Sequence, residues 1–139
     1  MNDTLHVVGA VFTREENGTI EALAFRRAPH KDAAGLWEFA GGKLEPGETP
    51  EQALAREIDE ELGITVTVGE HVHTSEVWVA ERERHVTLAC YLVTPHGPLP
   101  TTSTDHDELR WIPVSTLHTL EWIAPDVPVV AALQARFAK

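Results

Sequence analysis

The sequence predicts a mixed fold, α+β or α/β in layers, with helices packed on a mixed central sheet. Two observations carry this. Apolar, strand-length runs come first, then one capped amphipathic helix, then further strands, then helical segments near the C-terminal end. A length of 139 residues with a single cysteine fits one domain, residues 1–139, with a real core and no internal disulfide framework.

Leu5 to Thr13 is apolar and β-branched, a strand buried on at least one face. Glu15-Glu16-Asn17-Gly18 reads as a hairpin turn, with Asn17-Gly18 as the specific signal. Ile20 to Arg27 is the return strand. Its end carries Arg26 and Arg27, and Arg27 is either a solubilising surface group or a phosphate contact. Ala28 to Gly35 is a polar loop of small residues. Leu36 to Ala40 is a short strand in which Trp37 and Phe39 share one face, for core packing or for stacking a base. It delivers the chain to a loop whose Gly41-Gly42 allows close backbone approach or a positive φ. Pro46-Gly47 is a turn pair.

The central helix is predicted from Pro50 to Leu62. Thr49 is its N-cap, Gln52 completes a capping box, and Gly63 ends it in a left-handed conformation. At about 100° per residue, Leu54, Ile58 and Leu62 form one apolar stripe. Glu57, Glu60 and Glu61 share the adjoining arc, about 100° wide. Like charges this close disfavour the helix unless something positive offsets them. A hard divalent cation with oxygen ligands is the simplest candidate. Mg²⁺ with retained waters suits a phosphate substrate, and the loop before the helix can add a backbone carbonyl.

After the helix, Thr65 to Val68 starts a strand, Gly69-Glu70 breaks it, and Val72 to Val79 continues the sheet. Ala80 to Glu83 is a charged turn. Arg84 to Thr94 is the strongest strand pattern, with Cys90 read as core and His85 as structural. Pro95 to Thr104 is a loop. Asp105-His106-Asp107-Glu108 then leads into a short strand, Leu109 to Ile112. Val114 to Leu120 is a short helix. Pro125 to Phe137 is a terminal amphipathic helix with Asp126 near its positive end.

The stretch Gly42 to Ile64 resembles the Nudix box, GX5EX7REUXEEXGU with U aliphatic. Gly42, Glu48, Arg56, Glu57, Ile58, Glu60, Glu61, Gly63 and Ile64 match each fixed position. The resemblance implies an α/β/α sandwich and a hydrolase of nucleoside diphosphates linked to a further group. It implies Glu57, Glu60 and Glu61 as metal ligands for Mg²⁺ or Mn²⁺, with the Gly41 carbonyl as a backbone ligand. Arg56 would orient the acids, and Glu48 would support the loop. An assisting acid in such proteins comes from a loop before a late strand, where Asp105 aligns first and Glu108 second. RRA, GLWEFAGGK and RHVTL extend the likeness to the MutT-type branch, which releases a nucleoside monophosphate and pyrophosphate. In that branch Arg84 matches a substrate-contacting arginine.

Base choice is expected at Asp126. The oxidised-guanine enzymes of the branch carry asparagine there, whereas aspartate beside GLWEFAGGK looks more like the subgroup acting on cytidine triphosphate. An ionised carboxylate only accepts hydrogen bonds and suits an exocyclic amino group; a protonated one also donates, which readmits oxidised guanine. Trp122 either stacks a base or packs. Hydrolysis of ADP-ribose or a nucleotide sugar is the rival activity, but the extra motifs those groups carry after the box are not seen. A non-catalytic nucleotide sensor is the rival class, but no box acid is lost.

The net charge of −11, from 11 basic and 22 acidic residues, argues against binding to nucleic-acid backbones. No secretory signal or spanning segment is recognised, so a reducing cytoplasm and no membrane partner are expected. The chain is compatible with a monomer or a homodimer.

Overall fold

The computed structural model describes residues 4–138. Seven strands form the sheet among the described residues: β1 (Leu5–Glu16), β2 (Thr19–Arg27), β3 (Trp37–Glu38), β4 (Ala40–Lys43), β5 (Val66–Val79), β6 (Arg84–Pro95) and β7 (His106–Pro113). Two α-helices accompany them, α1 (Pro50–Leu62) and α2 (Val127–Arg136). Short 3₁₀ turns lie at Ala80–Arg82, Val114–Thr119 and Ala124–Asp126.

β1 is the hub. One side of it pairs in parallel with β6 from Leu5 to Phe12. Its other side is shared: Val7–Ala10 pair with β4, and Thr13–Glu16 pair with β2. The antiparallel pairs β5–β6, β2–β3 and β2–β7 complete a mixed sheet. Asn17 and Gly18, with φ of 53° and 80°, close the β1–β2 hairpin, the geometry an Asn-Gly turn favours.

The alternation of β1 splits the core into two layers. Val8, Ala10 and Phe12 face α1, where Leu54, Ile58 and Leu62 are buried. Val11 faces α2 with Leu88, Cys90, Val129, Val130 and Leu133. Each fully buried aliphatic side chain contributes about 1.5–3 kcal/mol. The expected α/β/α layering is therefore observed, and Cys90 is core.

Helix α1 runs as its sequence dictates. Thr49 accepts from the Gln52 backbone N–H, Gln52 returns the bond to the Thr49 N–H, and Gly63 is left-handed at φ 70°. Four local expectations need correction. Leu36 to Ala40 is not one strand, because Phe39 separates β3 from β4. Gly41-Gly42 lies inside β4 rather than in a loop. Its glycines serve close approach, since a Cβ on Gly41 would sit 1.9 Å from the Val8 carbonyl oxygen and one on Gly42 2.2 Å from a Glu57 carboxylate oxygen. Gly69-Glu70 does not break the strand; β5 runs through it with register shifts between Val68 and His71 and again before His73, as bulges allow. The terminal helix starts at Val127, two residues later than expected, and leaves Asp126 as its N-cap with no side-chain cap bond.

Candidate active site

A cleft of about 770 Å³ opens beside Leu5, Val7 and Val8 of β1, the part of that strand that runs between β4 and β6. Glu57 and Glu61 of α1 line it, beside Gly41 and Gly42 of β4. Asp105, Lys31, Arg27 and Glu38 lie along it, with Arg82 and Arg84. Phe39, Val86 and Ile123 form its apolar part, next to Asp126.

The acids of α1 are held by two cations. Arg56 directs its five N–H groups to five acceptor atoms. Its Nε and Nη2 clamp both oxygens of Glu48 at 2.7 and 3.0 Å, Nη2 also donates to the Lys43 carbonyl at 3.0 Å, and Nη1 donates to Glu57 at 2.9 Å and Glu60 at 3.1 Å. The hydrogen bond from Arg56 holds the Glu48 carboxyl below its ordinary range. Glu60 is largely exposed, at 62% of its side chain.

Glu61 faces a different cation, His106. The His106 ring is 1% exposed; Nε2 is 2.7 Å from Glu38 Oε2 and Nδ1 is 3.1 Å from Glu61 Oε1. Ser103 Oγ also lies 3.1 Å from Nδ1. Nδ1 faces Glu61 Oε1 as an ion-pair partner, and that oxygen is buried without a hydrogen bond. Burial opposes a charged His106, but hydrogen bonds and charges from Glu38 and Glu61 outweigh it and raise its pKa to about 9. Burial pushes the Glu61 carboxyl up, and His106 pulls it partly back.

A bulge explains how His106 turns inward. Arg26 pairs with Glu108 and Arg27 with His106, so Asp107 is the extra residue of β7. Asp107 and Glu108 both go outward to Arg26, at 2.8 and 3.1 Å. Glu108 also bonds Arg110. Asp105 lines the cleft, with Lys31 Nζ 3.6 Å away.

Arg27 lines the cleft, but its donors go to protein groups: Nε to the Asp32 carbonyl, Nη2 to the Asp32 carboxylate and Nη1 to Glu38. It is buried, so the surface reading fails, and Asp32 and Glu38 engage all three of its nitrogens. Arg82 also pairs with Asp32, at 3.2 Å. Asp126 is 2% exposed, and its Oδ2 accepts the Phe39 backbone N–H at 2.9 Å. Burial pushes its carboxyl well up and the Glu38 charge adds to this, against the pull of the Phe39 N–H. Trp122 packs on Phe39 with ring centroids 4.8 Å apart, and its indole N–H donates to the Leu117 carbonyl.

Sequence reasoning does not single out Glu38, His106 or Asp32. Glu38 has a signal, a carboxylate alternating with two buried aromatics. His106 has none, because the bulge that aims it inward has no local signature.

The donor set of the α1 face suits a hard cation, since it offers oxygens alone. Glu61 Oε1 keeps an unsatisfied lone pair, and glycine at 42 leaves room beside Glu57. Among the described residues no three acidic, histidine or cysteine groups already converge on one ion position. Arg56 and His106 supply the positive charge there instead.

A fold of this layering, with a capped acidic helix beside a glycine strand and a cleft above it, defines a class. The NUDIX domain model matches residues 4–133, and the chain belongs to the Nudix family of hydrolases. It is 41% identical over 133 residues to the CTP pyrophosphohydrolase of Escherichia coli K12, covering 94% of this chain and 92% of that protein. It is 36% identical over 122 residues to the 8-oxo-dGTP diphosphatase of the same organism, covering 87% and 90%. Among solved structures, the E. coli ORF135 protein superposes with a TM-score of 0.81 at 37% identity, covering 99% of this chain and 93% of that one. MutT from Methanosarcina mazei superposes at 0.79 with 25% identity, covering 99% and 98%. Nudix hydrolases generally need a divalent metal and act on small nucleotides. No helix among the described residues is long and apolar enough to cross a membrane.

Proposed function

We propose that the chain hydrolyses nucleoside triphosphates to a nucleoside monophosphate and pyrophosphate with Mg²⁺, acting on cytidine or on modified or oxidised nucleotides. One observation carries this reading: a single cleft is lined both by Glu57 and Glu61 of α1 and by the buried Asp126. The names of the two E. coli relatives support the same two base classes.

Glu57, Glu60, Glu61 and the Gly41 carbonyl would hold the metal. Bound there, it would neutralise charge on the phosphate oxygens and lower the pKa of a water. Asp105 takes the proton of the attacking water, favoured over Glu108 because Glu108 is engaged by Arg26 and Arg110. The water oxygen bonds to phosphorus as the anhydride between the α and β phosphates breaks, and pyrophosphate leaves. Arg84, at the cleft wall, contacts the nucleotide; Arg27 holds Glu38 in place. Arg56 orients Glu57 and Glu60, and Glu48 braces Arg56. Phe39 forms the apolar wall beneath the base, and Trp122 supports Phe39. Burial favours the neutral form of Asp126, and that form both donates and accepts, which suits the mixed donor–acceptor edge of cytosine or oxidised guanine.

The test is pyrophosphate release with Mg²⁺ from CTP, dCTP, 5-methyl-dCTP, 8-oxo-dGTP and dGTP. A preference for a cytidine or oxidised substrate is expected. Equal weak rates on all five would remove the base reading. Unchanged turnover in folded Glu60→Gln would remove the metal assignment.

A further inference from the structure

Arg56 bonds Glu57 and Glu60, and Glu61 is the third acid of the same helix arc. Its nearest cation is His106, a ring that the chemistry above leaves without a task. Three features show that this ring is fixed by its surroundings. The β7 bulge turns it inward, opposite Arg27. Phe25 packs against it, with ring centroids 5.1 Å apart. Glu38 holds Nε2 at 2.7 Å, and Glu38 is itself held through its other oxygen by Arg27 at 2.8 Å. The side chains of Arg27, Glu38, His106 and Glu61 are all at most 15% exposed.

That anchoring leaves Nδ1 aimed at the neighbourhood of Glu61 Oε1, 3.1 Å away. The hydrogen bond at Nδ1 is with Ser103 Oγ, also 3.1 Å away, so the ring faces Glu61 Oε1 as an ion-pair partner and leaves that oxygen without a hydrogen bond. A group that fixes a carboxylate while leaving it a lone pair is what an oxygen ligand needs from its support.

We propose that His106 is a positioning residue that sets the rotamer of Glu61 through Nδ1, with Glu38 and Arg27 as its anchor on the far side. The proposal rests on Glu61 being a metal ligand. It separates two tasks of one ring. Nε2 serves the buried packing around Glu38, and Nδ1 serves the proposed metal site.

The separation makes the test specific. Asparagine at 106 places an amide nitrogen near the position of Nδ1, whereas glutamine places one near Nε2. Mn²⁺ is the probe, with its dissociation constant read by calorimetry or by the spin signal of free Mn²⁺. His106→Asn should bind Mn²⁺ within about threefold of wild type. His106→Gln should bind it about 10–100-fold more weakly, the usual cost of losing a group that orients a ligand. Thermal melting should show the reverse order, because His106→Gln keeps the bond to Glu38. A folded His106→Gln with wild-type Mn²⁺ affinity, or affinities that simply follow melting temperature, would overturn the proposal. If His106→Gln does not fold, His106→Ala takes its place, with the same expected loss of Mn²⁺ affinity and the same overturning result. Glu61→Gln is the control. If it also binds Mn²⁺ like wild type, the metal reading itself has failed; if it does not, a failure belongs to His106 alone.

Discussion

Arg56 and His106 grip acids of the same helix by different physics. Arg56 is partly exposed and gathers acceptors from Lys43 to Glu60, all local in sequence. His106 is buried and joins Glu38 to Glu61, across 68 residues in one direction. Exposed ion pairs are individually weak and are screened by salt, so the Arg56 side depends on the number and geometry of its bonds. Buried pairs depend on the balance of desolvation against charge, so losing one partner is strongly destabilising. The acids thus have one adjustable support and one rigid support.

The largest expected effect breaks the contrast at the chemistry. Glu57→Gln keeps the shape of the side chain and removes its charge. It should lower kcat on the order of 10³-fold, since several kcal/mol of transition-state stabilisation are lost with a metal ligand. Circular dichroism should show the fold intact. A kcat within a few-fold of wild type would remove Glu57 from the metal shell. Next comes Arg56→Lys. Lysine keeps the charge but cannot supply a planar fork of five donors. We expect kcat to fall by about 10–100-fold, with little change in KM, because two acids lose their orientation at once. Wild-type kcat in this variant would show that charge alone suffices on the exposed side.

Legibility in the sequence follows the same divide. The helix, its caps, its apolar stripe and the Arg56 cluster are written in contiguous residues, where spacing reports geometry directly. The buried side is assembled from β3, β7 and the turn before α2. Glu38 and His106 meet because β3 and β7 both pair with β2 and β7 carries a bulge, and Asp126 reaches the same strand region at the Phe39 N–H. Periodicity even misleads there, since strict alternation would put His106 on the same face as Glu108, whose side chain goes outward to Arg26 and Arg110. Arg27 shows the same limit. Its place at a strand end is readable, but its capture by Asp32 and Glu38 requires the loop and β3 to fold over it.

Asp126 offers a pH test of the buried side. Burial raises its carboxyl above the unfolded value. For an acid shifted up, the stability is fully present below the unfolded pKa near 4 and is lost as pH rises toward the folded pKa, by up to about 1.4 kcal/mol per pH unit. An asparagine side chain in its place does not titrate, so it carries no such dependence, and it can still accept from the Phe39 N–H. The melting temperature of Asp126→Asn minus that of wild type should therefore increase as pH rises above about 4. A flat difference would mean that the carboxyl ionises in the fold as readily as in the unfolded chain.

The smallest effect sharpens the comparison by leaving both cations alone. Thr49 caps α1 from outside the cleft, and its hydroxyl accepts the Gln52 N–H at 3.1 Å. Thr49→Ala removes that bond and should cost about 1 kcal/mol of stability in denaturant unfolding. Its effect on kcat depends on what holds the helix in register. Leu54, Ile58 and Leu62 are buried against β1, and Gly42 lets β4 press on Glu57. With those contacts intact, kcat should stay within about twofold of wild type, because frayed helix ends leave the packed turns in place. A kcat loss as large as that of Arg56→Lys would show that the cap, rather than the buried stripe, fixes the acids in position, and the local side would then be no less rigid than the buried one.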